Sequence, residues 1–438
     1  MTKLSCRRPA ALGLALALLT GCGLLDTETP DIINPGDTET AEGAQARRVG
    51  ALSDWAFIRD GDGTEFVDGE ILLTGLMADE FVLSTTPPGE QEIDQRKVST
   101  ANVGIDSLFL LLHRVRAESE GAADALQRLL PDPDSDPGIA EMLAVAGYSY
   151  ISFGEDFCSG VPFSRVEGDT IVFGPGETTE QVFGRGIERF DSALAHPAIT
   201  EDVANLAAVG KARALLNLDS VPQAAAAVAA VPTDFQYVTE HAESPQRLRN
   251  AIFVYGDDFL WSLSDLEGGV GLGYRSAEDP RVPFEDTEDV GLDGTTPQFT
   301  LLKYPDPSAS VVVADGIEAR LIEAELQLRN SSFAGMTTTL NDLRAGADLG
   351  LADLDVPGSA TEAEDLLFSE RAFWLFATGH RLGDMRRLIR QYDRTEDEVF
   401  PSGTYIKGGS YGTDVNLPIP RSEHNNPGAQ DGCLDREA

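Results

Sequence analysis

Helical periodicity in successive pairs of segments is the feature that most constrains what this chain can fold into. In Gly316–Arg329, apolar residues recur on one helical face, at Ile317, Leu321, Ala324 and Leu328. Glu180–Leu194 repeats the pattern, and Thr178 with Gln181 forms a capping box ahead of it. Such apolar faces must be buried against other elements, so the sequence predicts a body built mainly of packed helices.

Four further segments are predicted to be helices, and they form two pairs, each with a short connection between its members. They are Ser107–Leu130, Ile139–Phe153, Val203–Leu218 and Pro222–Ala230. The last of them is almost entirely alanine after its proline and glutamine. Small residues let two helices pack closely, as they do in tetratricopeptide repeats, although no repeat of fixed period is visible.

A later helical hairpin is predicted near the carboxyl-terminal end of the periodic region. Thr361 with Glu364 is interpreted as the cap of its first helix, which runs to about Thr378 and stops at Gly379. The second helix follows after a tight turn, and its apolar face consists of Leu382, Met385, Ile389 and Tyr392.

Signals for strands are few. Phe253–Leu263 and Val311–Val313 favour short strands, whereas residues 264–310 and 394–436 are rich in Gly, Pro and Asp and are predicted to be long ordered loops. The predicted fold class is therefore all-α, a tetratricopeptide-like superhelix of helix pairs with long irregular loops and a few short strands. Long loops in a compact domain usually carry function.

The first residues have the pattern of an export signal. Lys3, Arg7 and Arg8 precede an apolar run over residues 10–19, which is too short to span a bilayer. The run ends at Leu-Thr-Gly-Cys22, which resembles a bacterial lipobox. We predict a lipoprotein signal peptide over residues 1–21, a lipidated Cys22, and an extended tether over residues 22–45. The alternative is a secretory signal followed by an incidental cysteine.

Charge excludes several classes of partner. The chain has 33 Lys and Arg against 73 Asp and Glu, a formal net charge of −40. Nucleic-acid binding depends on basic side chains that neutralise phosphates, and so does adsorption to an anionic membrane. We therefore expect no nucleic-acid partner, and attachment to a membrane through the lipid anchor alone.

No catalytic or cofactor motif is recognisable. The five histidines are scattered, without the spacing of a zinc site, and no dinucleotide-binding or phosphate-binding glycine pattern is present. Two acidic stretches, Asp60–Glu65 and Asp132–Asp136, could chelate Ca²⁺, but both depart from the EF-hand pattern and are interpreted as solvated loops. We therefore predict no cofactor and no metal.

Two cysteines remain in the body of the chain, Cys158 and Cys433. An isolated pair in an exported protein favours a disulfide, and two free thiols are the alternative.

Several segments together resemble the SusD/RagB family of outer-membrane nutrient-binding lipoproteins. The segments are Cys22–Asp26, Gly316–Glu325 with Leu340–Arg344, Glu370–Arg387, and Leu417–Pro420 with Glu423, Asn426 and Pro427. Thr378 and Leu382-Gly383 depart from the residues that the family usually has at these positions. Because Glu370–Arg387 carries forks of arginine among carboxylates on two consecutive helices, we interpret it as a structural lock rather than an acid–base site.

The resemblance implies a surface-exposed outer-membrane lipoprotein that binds an oligosaccharide or peptide and delivers it to a SusC-like TonB-dependent transporter. It implies one domain over residues 46–438, with a helical-repeat part (46–235) and a carboxyl-terminal part (236–438). The alternatives are a surface glycan hydrolase, a peptide-binding member of the family, and a helical-repeat scaffold that binds only protein.

The family has no motif for its ligand contacts, so candidates come from loop position and residue type. The loops over residues 79–100 and 270–305 are the candidate regions, because aromatic rings stack on sugars while charged side chains bond to hydroxyls. The predicted ligand-binding residues are Asp79, Glu80, Phe81, Arg96, Tyr274, Arg275 and Tyr304.

Overall fold

Fourteen α-helices dominate the described part of the protein. The computed structural model describes residues 39–62, 68–167 and 170–438, so the predicted signal peptide and Cys22 lie outside the described residues. The helices are α1 (Ala41–Asp60), α2 (Glu70–Met77), α3 (Pro88–Asp94), α4 (Val103–Leu129), α5 (Gly138–Asp156), α6 (Thr179–Leu194), α7 (Glu201–Asn217), α8 (Val221–Val228), α9 (Ala251–Asp257), α10 (Gly316–Arg329), α11 (Phe333–Gly346), α12 (Ala360–Trp374), α13 (Arg381–Tyr392) and α14 (Glu396–Val399).

Ten short strands complete the described elements and form antiparallel pairs. The strands are β1 (Phe81–Leu83), β2 (Val161–Pro162), β3 (Arg165–Glu167), β4 (Thr170–Val172), β5 (Gly176–Glu177), β6 (Gln236–Thr239), β7 (Trp261–Leu263), β8 (Phe284–Val290), β9 (Pro297–Leu301) and β10 (Val311–Asp315). The pairs are β1 with β7, β2 with β5, β3 with β4, β6 with β10, and β8 with β9. The predicted class, all-α with a few short strands, is confirmed.

The helices pack one against the next through the chain. Helix α1 packs on α4, the series α4 to α8 continues in order, and α8 then contacts α10, which also packs on α11 and α12. Glycines set the close approach of α5 and α6, since a Cβ on Gly147 or Gly154 would come within 2.6 Å of the ring of Phe190 or Phe183. A large buried core runs through this series, and α10, α11 and α12 enclose a second, smaller core.

Several local predictions match the structure. Helix α10 has the predicted bounds, Thr178 and Gln181 form the capping box of α6, and α13 covers the predicted second helix of the hairpin. Helix α1 begins at Ala41, so regular structure starts inside the segment predicted as a tether.

The strand predicted over Phe253–Leu263 is wrong for its first half. Asn250 accepts a hydrogen bond from the backbone N–H of Phe253 at 3.0 Å and caps helix α9, and β7 begins only at Trp261. The predicted loops also contain regular structure, namely the β8–β9 hairpin and the short helix α14. A short run of apolar residues fits both a strand and a buried helix, and the cap at Asn250 decides for the helix.

The hairpin lock predicted over Glu370–Arg387 is confirmed for one arginine–carboxylate pair. Arg371 donates to Asp384 through Nε at 2.7 Å and Nη2 at 2.9 Å, which joins α12 to α13. Glu370 forms ion pairs with Arg281 and Arg344, which both lie outside the hairpin. All five side chains are largely buried, so these pairs fix how the helices dock.

The cap predicted for the first helix of that hairpin is wrong. Ser359, not Thr361, accepts a hydrogen bond from the N–H of Glu362 at 3.2 Å, and α12 ends at Trp374. We expect Ser359→Ala to lower the free energy of unfolding by about 1 kcal/mol, because an N–H at the helix start loses its acceptor. Thr361→Ala is the matched control and should change it far less. Urea unfolding measures both, and an equal loss in the two variants would contradict the assigned cap.

The carboxyl-terminal segment is joined to the end of α5. Cys158 and Cys433 form a disulfide with their Cα atoms 5.8 Å apart, within the range that a disulfide requires. Leu434 donates to the carbonyl of Ser159 at 2.7 Å, and Cys158 donates to that of Leu417 at 2.9 Å. The bond therefore holds a segment of little apolar content onto the helical body.

The described residues contain no group of three or more His, Cys, Asp or Glu side chains placed to hold a metal ion. None of the helices in this part of the chain is both long and apolar enough to cross a bilayer.

Candidate functional site

A surface cleft of about 340 Å³ lies where the β1–β7 pair, the β8–β9 hairpin and the loop of residues 402–412 meet. We name it the hairpin cleft, and the loop the glycine loop. The cleft walls include Leu266, Arg275, Phe299, Thr404, Ile406 and Tyr411. Leu266 and Ile406 are 57% and 58% exposed, so the cleft presents apolar surface to solvent.

Short strands fix the floor of the cleft. Phe81 pairs with Leu263 and Leu83 with Trp261 across β1 and β7. The hydroxyl of Ser262 donates to the carbonyl of Pro297 and accepts from the N–H of Phe299, both at 2.9 Å. These bonds tie β7 to β9 and set the position of the Phe299 ring.

Two tyrosines anchor the glycine loop through buried carboxyl groups. Tyr405 donates to Asp94 at 2.6 Å, and Tyr411 donates to Glu267 at 2.9 Å. The loop can make its tight turn because Gly403, Gly408 and Gly409 have φ angles of 75°, 96° and 79°. Lys407 at its tip pairs with Asp293 at 2.9 Å. The loop is therefore an ordered wall of the cleft.

Burial sets the charge of these anchors. It raises the pKa of Glu267 well above the usual range, and the negative charge of Asp94 adds to the shift, although the hydroxyls of Tyr411 and Ser264 oppose it. Burial likewise raises the pKa of Asp94 to about 6, against hydrogen bonds from Tyr405 and the N–H of Leu83.

We expect Asp94 to make stability depend on pH. An ordinary aspartate titrates near about 4, and a raised folded-state pKa means that the folded protein binds the proton more tightly. Stability should thus fall as pH rises from about 4 to 6, by about 2 kcal/mol from this group. Asp94→Asn should flatten that part of the curve, as measured by urea unfolding at several pH values. An unchanged slope in the variant would contradict the assignment.

Arg275 is the cation of the cleft. Its guanidinium carbon lies 3.8 Å from the centre of the Phe299 ring, and burial lowers its pKa from the usual range. Asp265 fixes the backbone beneath it, since one carboxylate oxygen accepts from the N–H of Arg275 at 3.1 Å and from the N–H and hydroxyl of Ser276 at 3.0 Å.

Six of the seven predicted ligand-binding residues are buried and serve the fold instead. The exposed fraction is at most 3% for Asp79, Glu80, Phe81, Arg96, Tyr274 and Tyr304. A ligand cannot reach them in this conformation, so the structure contradicts a contact role for these six. Of the predicted set, Arg275 lines the hairpin cleft.

Three of the buried residues bind other parts of the fold. Asp79 receives two hydrogen bonds from Arg381, at 2.6 and 2.8 Å. Glu80 accepts from the N–H of Ala377 at 2.8 Å, and Tyr304 donates to the carbonyl of Ala377 at 2.7 Å.

The other three buried residues of the predicted set contact aromatic rings of the core or the ends of the glycine loop. Phe81 packs on Trp261 with ring centres 4.3 Å apart, and Tyr274 packs on Phe376 at 4.7 Å. Arg96 donates to the carbonyls of Pro401 and Asp414, on either side of the glycine loop. Both candidate loops contribute residues to the cleft lining, but these side chains point into the core.

Sequence reasoning missed Phe299, Ile406 and Tyr411. Phe299 lies inside the predicted region but was not singled out. The glycine loop carried a signal in Lys407-Gly-Gly-Ser-Tyr-Gly412, a glycine-rich run that contains an aromatic residue. Nothing in that run indicates that it folds against residues 264–299.

Solved structures with the same architecture cover most of this chain. No protein-family model matches the sequence, and no curated protein matches it. A SusD superfamily protein from Bacteroides thetaiotaomicron aligns over 89% of this chain and 98% of its own, with a TM-score of 0.65 and 15% identity. The chain has the SusD-like fold.

Two other structures with the SusD-like fold are named for carbohydrate binding. A laminarin-binding SusD-like protein aligns over 89% of this chain and 98% of its own, with a TM-score of 0.67 and 14% identity. A SusD-like carbohydrate-binding protein from Bacteroides vulgatus aligns over 79% and 83%, with a TM-score of 0.58 and 16% identity. At these identities the comparison establishes the SusD-like fold.

Proposed function

We propose that this protein binds an oligosaccharide in the hairpin cleft and does not catalyse its cleavage. The observation that carries the proposal is the SusD-like fold over most of the chain, which it shares with structures named as carbohydrate-binding proteins. The cleft supports it, because an aromatic ring, exposed apolar side chains and a guanidinium stand together on ordered walls.

We further propose that the protein works at the outer-membrane surface, anchored through lipid on Cys22, and delivers its ligand to a SusC-like TonB-dependent transporter. The apolar run that ends at Cys22 supports the anchor. Two or three acyl chains hold a protein on a membrane stably, whereas a single chain does not. The family resemblance supports the transporter as the partner.

We expect Phe299→Ala to weaken binding of the cognate oligosaccharide by about tenfold, or ~1.4 kcal/mol. The substitution removes the aromatic wall and the platform on which Arg275 lies. Isothermal titration calorimetry with a panel of soluble glycans, laminarin included, measures the loss.

Phe173→Ala is the matched control, since Phe173 is 48% exposed and lies outside the cleft lining. It should leave the affinity unchanged. If both variants keep the affinity of the unaltered protein, the ligand binds outside the hairpin cleft. If the unaltered protein binds no glycan in the panel, the proposed function is wrong.

A further inference from the structure

We propose that the hairpin cleft selects an oligosaccharide that bears an anionic group, a carboxylate or a sulfate ester, and that Arg275 binds this group. The inference rests on the proposed function and adds the class of glycan.

The guanidinium of Arg275 lacks a counterion within the described chain. It forms no hydrogen bond or ion pair with the described residues, and its Nε is buried without an acceptor. The buried arginines behave differently, because each has partners. Eight of them contact a carboxylate, namely Arg59, Arg96, Arg116, Arg213, Arg281, Arg371, Arg381 and Arg387. Arg386 donates to three backbone carbonyls.

The contrast is informative because carboxylates outnumber basic side chains more than twofold in this protein. A partly buried charge without a counterion is costly, so its retention in an open cleft points to a counterion that the ligand supplies. The negative charges of Asp265 and Asp286 favour the charged form of Arg275, yet neither carboxylate forms an ion pair with it. Asp265 has one oxygen occupied by backbone N–H groups and a hydroxyl.

The geometry suits a planar or tetrahedral oxyanion. Phe299 covers one face of the guanidinium at 3.8 Å and Nε is buried, which leaves the two terminal nitrogens, Nη1 and Nη2, for a ligand in the cleft. An arginine fork binds carboxylates and sulfates through two parallel hydrogen bonds, a geometry that lysine cannot reproduce. Leu266 and Ile406 add apolar surface for the sugar rings.

The charge of the whole protein limits the length of the ligand. A net charge of −40 repels long polyanions, but salt screens this repulsion beyond about 8 Å at physiological ionic strength. Burial raises the pKa of Glu267 and so opposes negative charge on this side chain at the cleft. We therefore infer short acidic oligosaccharides rather than long polyanionic chains.

Calorimetry with three short oligosaccharides tests the inference: a neutral β-glucan, a galacturonan, which carries carboxylates, and a sulfated galactan. A fourth ligand is an acidic peptide. We expect an acidic oligosaccharide to bind at least tenfold more tightly than the neutral one. Arg275→Gln should remove that advantage, and Arg275→Lys should restore part of it.

Arg128→Gln is the matched control, because Arg128 lies on α4 outside the cleft and is about half exposed. Preference for the galacturonan assigns a carboxylate, and preference for the sulfated galactan assigns a sulfate ester. Equal binding of neutral and acidic glycans, unaffected by Arg275→Gln, overturns the inference but leaves the proposed function intact. Binding of the peptide alone, or of no ligand, overturns both.

Discussion

Asp79→Ala should lower the free energy of unfolding by about 3–5 kcal/mol. Asp79 is fully buried and accepts hydrogen bonds from Arg381 at 2.6 and 2.8 Å and from the N–H of Leu272 at 2.9 Å. The substitution leaves the Arg381 guanidinium, which is 7% exposed, without a carboxylate. Urea unfolding followed by circular dichroism measures the loss.

Asp124→Ala is the matched control, because it also breaks an arginine–carboxylate pair. Asp124 and Arg128 lie one turn apart on α4, 2.9 Å from each other and largely exposed. We expect a far smaller loss there, since water screens exposed pairs. Equal losses in the two variants would contradict a structural role for the buried pair. The double variant Asp79→Leu with Arg381→Met should recover part of the loss, because it removes the uncompensated charge as well.

The second large effect is expected from the disulfide. Cys158 and Cys433 are separated by 275 residues, so the bond restricts the unfolded chain strongly. The chain-entropy model allows about 5 kcal/mol, and measured values are usually lower. We expect the double variant Cys158→Ser with Cys433→Ser to lose about 3 kcal/mol, as measured by urea unfolding without reductant.

Reductant provides the internal control for that variant. Dithiothreitol should destabilise the unaltered protein by a similar amount and should have no effect on the double variant. Proteolysis should cut the segment after Leu417 more readily in the double variant, because the bond holds this segment against the end of α5. Two titratable thiols from Cys158 and Cys433 in the denatured, unreduced protein would contradict the assigned bond.

Short-range information determined much of the helical framework. The apolar face of Gly316–Arg329 predicts α10 to its last residue, and Thr178 with Gln181 predicts the start of α6. Helical periodicity and helix capping depend on residues a few positions apart, so they can be predicted directly from the sequence. The segments around Gly316, Glu370 and Leu417 resemble the family closely enough to predict the SusD-like fold, although no family model matches the chain.

Local signals failed where a tertiary contact decided between two alternatives. The apolar run after Asn250 starts as a helix and becomes a strand at Trp261, where β1 is available as a pairing partner. Short apolar segments adopt the structure that their neighbours bury best.

The sequence by itself determined the helical class and identified two candidate loops, whereas the tertiary structure decided which side chains line the cleft. Asp79 and Tyr274 are polar or aromatic residues in the candidate loops, yet their contacts with Arg381 and Phe376 hold them in the core. Arg275, Phe299 and Tyr411 meet in the cleft only after the β8–β9 hairpin and the glycine loop have folded together. Side-chain direction and long-range pairing depend on contacts that are distant in sequence, so no local pattern encodes them.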